Sequence, residues 1–477
     1  MRKDRGHTFL KSVAGALTSA PAFLNARDRA TGIRIDRISL GYDEYSYRTP
    51  IKFGGTVVDR VTILNVHCAV RSANGKRAKG FGSMPLSNPW AFPSRKMSYA
   101  TTLGAMKALA GRISSIGASY KEFGHPIDIN WALEPMYLQA AVEVSKESRL
   151  VEPIPKLCTL VTASAFDAAI HDAFGKIHGV TCYQTYGPEF MTHDLSYYLG
   201  PEYKSEYPCK YLLTKPQRRL PLYHLVSAVD PLEESEIKQR VNDGLPETLS
   251  EWINHNGLTH LKIKLDGNDL RWDVERVVRV DQVTAGTQKK RGVDQWFYSL
   301  DFNERCPNVQ YLLDFLHMVK QKTPQIFERI QYVEQPNARD LDSHRENVMH
   351  EAAKLKPIVI DESLTDVEAL MLSRDMGYTG AALKACKGQS QMMIIASVAE
   401  KNKMFLCVQD LCCPGASLIQ SASLAAHVPD VRAIEANSLQ YLPAANKAYE
   451  GRFPGVFHIT DGTMETGHLN GPGIGAV

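Results

Sequence analysis

One pattern limits the fold of this chain more than any other: from residue 220 onward, short apolar segments alternate with helix-sized segments. A helix-sized stretch follows each of the first seven apolar segments. The eight segments lie at residues 222–229, 258–265, 295–302, 330–333, 357–360, 381–383, 404–408 and 432–434. Repeated β-then-α units predict a parallel sheet, and eight units close a barrel. We therefore expect an α/β fold over residues 220–440, a TIM-like but modified (β/α)8-type barrel.

The chain before the barrel has a different pattern, in which strands come first and helices follow. Residues 32 to about 85 alternate like strands, and Asn74-Gly75 predicts a tight hairpin turn. Helical periodicity extends from about residue 99 to 179. We expect an α+β domain over residues 32–187 and an insertion or linker at 188–219. Residues 49–55 and the aromatic-rich stretch 88–93 are predicted to be loops.

The first 31 residues have features of an export signal. Basic residues near the start precede a mildly apolar stretch at 9–24, and residues 20–22 form a small-x-small cleavage pattern. The run at 8–12 resembles the tail of a twin-arginine signal, but Arg5 is not followed by a second arginine. We expect export to the periplasm through a degenerate signal or, alternatively, an N-terminal extension of a cytoplasmic protein.

Charge and cysteine content exclude several classes of function. A net charge of +3 is too small for 477 residues to indicate a nucleic-acid or anionic-membrane partner. The nine cysteines contain no Cys-x-x-Cys pair, which argues against a zinc site or a disulfide framework. No apolar run approaches the roughly 20 residues of a membrane-spanning helix.

Acidic residues end three consecutive predicted barrel strands: Asp301, Glu334 and Asp361. Because the carboxyl ends of barrel strands meet at one rim, these side chains would repel one another unless a cation joined them. Oxygen ligands without histidine or cysteine favour Mg²⁺, with Mn²⁺ as the alternative. Such an ion can bind a substrate carboxylate and absorb charge as a proton leaves the adjacent carbon.

Lysines lie on the strands that flank these carboxylates. Lys262 and Lys264 share one face of the second strand, and Lys384 follows the sixth. Lys262 would lower the pKa of Lys264 and so help it act as a base, or would be an ion-pair partner of the carboxylates. One base on each side of a carbon is what racemisation requires. Alternatively, one lysine is the base and the other stabilises the enolate.

The ordered set of motifs resembles the enolase superfamily, and within it the muconate-lactonizing-enzyme and dipeptide-epimerase branch. The motifs are Lys-x-Lys at 262–264, Asp-x-Asn at 301–303, Glu-Gln-Pro at 334–336, Asp-Glu-Ser at 361–363 and Leu-Lys at 383–384. The resemblance covers about residues 33–477. It implies that Asp301, Glu334 and Asp361 bind the metal, that Lys264 and Lys384 are the acid/base pair, and that Lys262 assists Lys264.

The resemblance also implies that residues 32–187 form a capping domain over the barrel mouth, to which the C-terminal segment 441–477 returns. Residues near the mouth then become candidates for substrate binding: Lys52, Phe53, Trp90, Asn303, Asp410, Glu435 and Asn437. Two departures matter. The seventh strand ends without the histidine of the mandelate-racemase branch, and Glu435-Ala436-Asn437 replaces the Asp-x-Asp of dipeptide epimerases.

Together these features predict a Mg²⁺-dependent enzyme that removes the proton α to the carboxylate of a small substrate through an enolate intermediate. A racemase or epimerase is our first expectation. A dehydratase or cycloisomerase, acting on an acid-sugar or muconate-like substrate, is the alternative. A non-catalytic exported carboxylate-binding protein is the second alternative. We expect a homo-oligomer.

Overall fold

The structure is a computed structural model that describes residues 31–53 and 56–475. The predicted export signal in residues 1–30 lies outside the described residues, as do the side chains of Lys52 and Phe53. No helix in these described ranges is both long and apolar enough to span a membrane.

The N-terminal domain begins with three antiparallel strands in the order β1-β2-β3: β1 Ile33–Phe53, β2 Thr56–Ser72 and β3 Arg77–Pro85. The turn at Asn74-Gly75 joins β2 to β3, as predicted. The loop predicted at 49–55 is wrong for residues 49–53, because Ile51 pairs with Val58 in the β1–β2 hairpin. Pro50, which suggested a loop, falls in a register irregularity between Ser46 and Ile51, where a missing N–H is tolerated.

Helices cover this sheet: α1 Asn88–Ala91, α2 Tyr99–Ser119, α3 Pro126–Glu147 and α4 Lys156–His178. Helix α4 lies directly on β3. A Cβ at Gly80 or Gly82 would collide with the main-chain oxygens of Ala169 and Ala165 on α4. Glycine in the strand and alanine in the helix therefore allow this close approach. The connection from 188 to 219 contains only short helical turns, of which α5 is Ser196–Leu199.

Eight parallel strands then close a barrel, which confirms the predicted fold. They are β4 Arg219–Val226, β5 His260–Lys264, β6 Phe297–Asp301, β7 Ile330–Glu334, β8 Ile358–Ile360, β9 Gly380–Leu383, β10 Phe405–Val408 and β11 Ile434–Glu435. Neighbours in sequence are neighbours in the sheet, and β11 pairs with β4 to complete the ring.

Helices follow the strands as the repeat predicts: α6 Leu249–Asn256, α7 Leu270–Arg291, α8 Val309–Lys322, α9 Pro324–Arg329, α10 His350–Ala353, α11 Val367–Asp375, α12 Gln389–Lys401 and α13 Ala416–His427. The chain ends with α14 Ser438–Tyr441, α15 Pro443–Glu450, α16 Pro454–Phe457 and β12 Thr463–Glu465. Strand β12 pairs antiparallel with the start of β4.

The last described residues contact the N-terminal domain. Cys182 donates its main-chain N–H to the carbonyl of Gly473 at 2.9 Å, and Ile474 donates to Asp172 Oδ1 at 2.9 Å. The domain boundaries expected from the sequence, at 32–187, 188–219, 220–440 and 441–477, stay predictions.

The β1–β2 hairpin packs onto the carboxyl end of the barrel. Tyr47, Ile51 and Val58 of the hairpin share a buried apolar cluster with Leu225 of β4 and Tyr441 of α14. The N-terminal domain therefore lies at the rim where the predicted functional residues end their strands.

Candidate active site

Strand register brings the predicted carboxylates together. Lys264, Asp301 and Glu334 are register partners on β5, β6 and β7, and Asp361 directly follows β8. All three acidic side chains are buried. Because adjacent parallel strands end at one rim, the order of the strands alone produces this row of carboxylates.

Lys262 lies at the centre of the row. Its Nζ is 3.0 Å from Asp301 Oδ2, 2.8 Å from Glu334 Oε2 and 2.7 Å from Glu435 Oε2. Burial alone would lower the pKa of Lys262, but the surrounding carboxylates outweigh burial and raise it well above the ordinary value. Lys262 is therefore a buried ammonium that neutralises the acidic groups around it.

Lys264 is held by the end of β6. Its ammonium contacts the Asp301 carboxylate and donates to Asn303 Oδ1 at 2.9 Å. Burial raises the pKa of Asp301, but Lys264 and Lys262 outweigh that effect and hold it well below its usual range. The side chain of Lys264 is 14% exposed, against 1% for Lys262, so Lys264 is the more accessible lysine of this pair.

Lys384 is held by Asp361, with its Nζ 2.8 Å from Oδ2. A second lysine, which was not predicted from the sequence, also contacts Asp361. Lys387 donates to Asp361 Oδ1 at 3.1 Å and to the Asp361 carbonyl at 2.6 Å, and its side chain is fully buried. Its position three residues after Lys384, in a one-turn 3-10 helix at Ala385–Lys387, was the available signal.

Trp90 reaches this half of the site from the N-terminal domain. Residues 88–91 form α1 rather than the predicted loop, and Trp90 is buried. Its ring lies 4.7 Å from the Lys384 ammonium, and Nε1 donates to Glu362 Oε1 at 3.0 Å. Glu362 was not among the site residues predicted from the sequence. Burial and the neighbouring Asp361 raise the pKa of Glu362 to about 8, and Oε2 has no hydrogen-bond partner.

Asp410 and Asn437, which were predicted as substrate-binding candidates, hydrogen-bond to neighbouring protein groups. Asp410 accepts the main-chain N–H groups of Cys412 and Cys413 at 3.0 and 3.1 Å, so it holds its own loop. Asn437 donates Nδ2 to Glu435 Oε1 at 2.6 Å. Because Glu435 is also paired with Lys262, the eighth strand presents a neutralised carboxylate and a neutral amide.

Gln409 is a further residue that the sequence did not single out. Its Nε2 donates to the Glu334 carboxylate and lies 3.2 Å from the Tyr332 hydroxyl. A buried side-chain amide that donates to a carboxylate fixes the orientation of that carboxylate.

The described residues contain no group of three acidic, histidine or cysteine side chains in the arrangement of a preformed metal cage. Lysine ammonium groups lie against the carboxylates instead. The donor set nevertheless suits a hard divalent cation. Asp301, Glu334 and Asp361 end adjacent strands at one rim, and carboxylate oxygens without histidine or cysteine are the donors that Mg²⁺ and Mn²⁺ prefer.

The chain is similar to known proteins both in sequence, over its second half, and in overall fold. Residues 245–477 match the family model "Enolase C-terminal domain-like". A muconate lactonizing enzyme from Pseudomonas fluorescens, complexed with muconolactone, has a similar structure at 14% identity and a TM-score of 0.60, covering 93% of this chain and 96% of that one. The L-Ala-D/L-Glu epimerase from Bacillus subtilis matches at 16% identity and a TM-score of 0.60, over 93% and 99%.

A dipeptide epimerase from Cytophaga hutchinsonii, complexed with Mg and the dipeptide D-Ala-L-Val, matches at 16% identity and a TM-score of 0.59, over 93% of this chain and 96% of that one. At these identities the likeness shows the fold. A search of curated protein sequences gave no significant match.

Proposed function

Residues 245–477 of this chain belong to the enolase C-terminal domain-like family, and from that premise we propose that the protein is a Mg²⁺-dependent racemase or epimerase. It would remove the proton α to the carboxylate of a small substrate and return a proton to the opposite side of the same carbon. Similar structures belong to isomerases, which supports this kind of reaction.

One observation carries the proposal: two lysines lie on opposite sides of the barrel mouth. Lys264 ends β5, the second of the eight strands, and Lys384 follows β9, the sixth, so the two positions are diametrically opposed in the ring. Glu334 lies on β7, midway between them. A carbon atom held above this row has one lysine on each of its two faces.

In this proposal each residue of the site has a separate role. Lys264 takes the α-proton on one face and Lys384 returns a proton on the other, and the roles exchange for the opposite enantiomer. Lys262 keeps the buried carboxylates neutralised. Asp301, Glu334 and Asp361 would hold Mg²⁺, which when bound supplies positive charge to the substrate carboxylate as the enolate forms. Trp90 covers the Lys384 side and excludes water.

The alternative is a cycloisomerase or dehydratase that uses one base. The observation in its favour is the unequal surroundings of the two lysines. Both lysines are paired with a carboxylate, but Lys384 also lies under the Trp90 ring, which favours its ammonium form further. Lys384 would then stabilise the enolate while Lys264 alone moves the proton.

The test incubates the Mg²⁺-loaded protein in D₂O with amino-acid derivatives, dipeptides and hydroxy acids. We expect deuterium at the α-carbon together with inversion. Lys264→Ala should abolish exchange from one enantiomer and Lys384→Ala from the other, while the surface variant Lys107→Ala leaves both unchanged. Loss of water or ring closure without inversion would support the alternative. If nothing exchanges, and Lys264→Ala binds ligands as tightly as the parent, the protein is a carboxylate-binding protein.

A further inference from the structure

The two lysines depend on different parts of the chain. The contacts of Lys264 come from Asp301 and Asn303, at the end of the adjacent barrel strand. Lys384 is approached by the N-terminal domain from two directions. One approach is the Trp90 ring above it. The other is a contact of helix α4 with the residues that follow Lys384.

The turn that follows Lys384 leads into helix α12, whose first turn has no side-chain cap from its own N-cap residue, Gly388. A residue of the N-terminal domain supplies the cap. Asp167 of helix α4 accepts the main-chain N–H of Ser390 through Oδ2 at 2.8 Å and the Ser390 hydroxyl through Oδ1 at 2.8 Å. A carboxylate at this position also meets the positive end of the helix dipole.

Asp167 is itself held in place. Asn130 of helix α3 donates to Asp167 Oδ1 at 2.6 Å, and His171 Nε2 lies 2.9 Å from the Ser390 hydroxyl. All four side chains are buried. Hydrogen bonds in such a buried network are strong, so the start of α12 is fixed relative to helices α3 and α4.

Only five residues separate Lys384 from Ser390, and the turn between them is anchored at both ends. Lys387, inside it, donates to Asp361, the residue that also holds Lys384. Gly388 has φ +100°, and a Cβ there would lie 3.0 Å from Asp167 Oδ2, so the turn passes directly against the capping carboxylate. A shift of Ser390 would therefore move Lys387, Asp361 and Lys384 together.

We propose that Asp167 is a positioning residue for Lys384: the N-terminal domain sets the position of one of the two lysines and leaves the other to the barrel. This inference rests on the proposed two-lysine function. It makes the two faces of the substrate unequal, because only proton transfer at the Lys384 face depends on the contact between α4 and α12.

The experiment compares Asp167→Asn with Asp172→Asn. Asp172 is a matched control because it is a buried carboxylate on the same helix, but its partners are the N–H groups of Phe81 and Ile474 and the ammonium of Lys176, which lie outside α12. For each variant, α-deuterium exchange is measured separately from the two enantiomers. We expect Asp167→Asn to slow exchange at the Lys384 face about tenfold relative to the Lys264 face, since small misplacements of a reacting group cost this much or more. Asp172→Asn should leave the ratio unchanged.

A second measurement does not depend on activity. Hydrogen exchange followed by mass spectrometry should show faster deuterium uptake in residues 384–392 of Asp167→Asn, with residues 260–265 unchanged. Ser390→Ala, which removes only the hydroxyl contact, should give a smaller effect of the same kind and serves if Asp167→Asn does not fold.

These two measurements distinguish the possible failures. Equal loss at both faces, or unchanged uptake in residues 384–392, overturns the positioning role. If the parent exchanges neither enantiomer, the proposed function fails, and the uptake measurement alone decides the role of Asp167.

Discussion

The indole ring of Trp90 lies 4.7 Å from the ammonium of Lys384, so a residue of the N-terminal domain covers a lysine of the barrel. The same indole donates to Glu362. Trp90→Leu removes both contacts, and we expect kcat/KM to fall about 10- to 30-fold, since a desolvated cation–π contact contributes about 2 kcal/mol. Trp90→Phe keeps a ring and should lose less. Trp131→Leu, at a partly exposed tryptophan, is the control, and a fully active Trp90→Leu would contradict the expectation.

Lys262 is the buried counterion of three carboxylates. Lys262→Met keeps the volume and removes the charge, and we expect the free energy of unfolding to fall by about 3–5 kcal/mol, as when one partner of a buried ion pair is removed. Urea titration measures the change, and added Mg²⁺ should restore part of it. Lys107→Met breaks an exposed pair with Glu44 and should cost about 1 kcal/mol or less. Equal losses in the two variants would argue against this role.

Metal binding should stabilise the fold. At a Mg²⁺ concentration 100 times the dissociation constant, linkage predicts a gain of about 2.7 kcal/mol, which a chelator should reverse. Asp361→Asn removes a proposed ligand and should abolish most of the gain, as measured by thermal unfolding with and without Mg²⁺. Asp410→Asn is the control, because Asp410 holds its own loop. A Mg²⁺ effect that survives in Asp361→Asn would place the ion elsewhere.

The residues at the end of the eighth barrel strand indicate which substrates we expect the protein to prefer. Glu435 is already paired with Lys262 and Asn437 is neutral, so a neutral donor such as an amide or a hydroxyl suits this rim better than an ammonium group. Asn437→Asp adds a charge there. We expect the kcat/KM of substrates with a free amine to rise about tenfold relative to their N-acyl forms, because hydrogen bonds to charged groups contribute about 1.5–3 kcal/mol. Asn437→Leu should weaken both, and no change in the ratio for Asn437→Asp would refute the assignment.

Acid should destabilise the N-terminal domain through His125. Burial lowers the pKa of His125 from 6.5 to about 3, and its Nδ1 accepts the N–H of Ile127 as the cap of α3. Below pH 6.5 the unfolded chain binds a proton that the folded chain excludes, so stability is lost as the pH falls toward 3. At pH 4.5 the loss is about 2–3 kcal/mol.

His125→Asn keeps an N-cap side chain that does not titrate. Urea unfolding from pH 7.5 to 4.5 should therefore show a flatter curve for this variant. The exposed imidazole of His344 provides the control substitution, His344→Asn. Parallel curves for His125→Asn and the parent would exclude His125 as the source of the acid sensitivity.

The barrel and its row of carboxylates were predictable because both follow from the repeated alternation of short apolar segments with helix-sized segments. Once eight apolar segments alternate with helices, the residues that end them must meet at one rim, and Asp301, Glu334 and Asp361 are found there. The family match supports the same superfamily and the expectation of an enzyme within it.

What the sequence did not show are contacts between distant segments. Trp90 and Lys384 are far apart in the chain, and no local pattern reveals that an indole covers an ammonium group. The roles of Lys387 and Gln409 could not be predicted from the sequence for the same reason, since each role follows from a contact with a carboxylate that is distant in the chain. The strand through Ile51 was missed because Pro50 and the following glycines are usual loop residues, and only pairing with Val58 reveals the strand.

The stretch from β12 to Gly473 connects the two domains a second time. Strand β12 pairs with the start of β4 in the barrel, and Gly473 accepts the main-chain N–H of Cys182 in the N-terminal domain. The two domains are therefore joined covalently through this stretch as well as through residues 188–219. A protease that cuts between β12 and Gly473 would leave both sets of hydrogen bonds in place but would remove one of these two covalent connections.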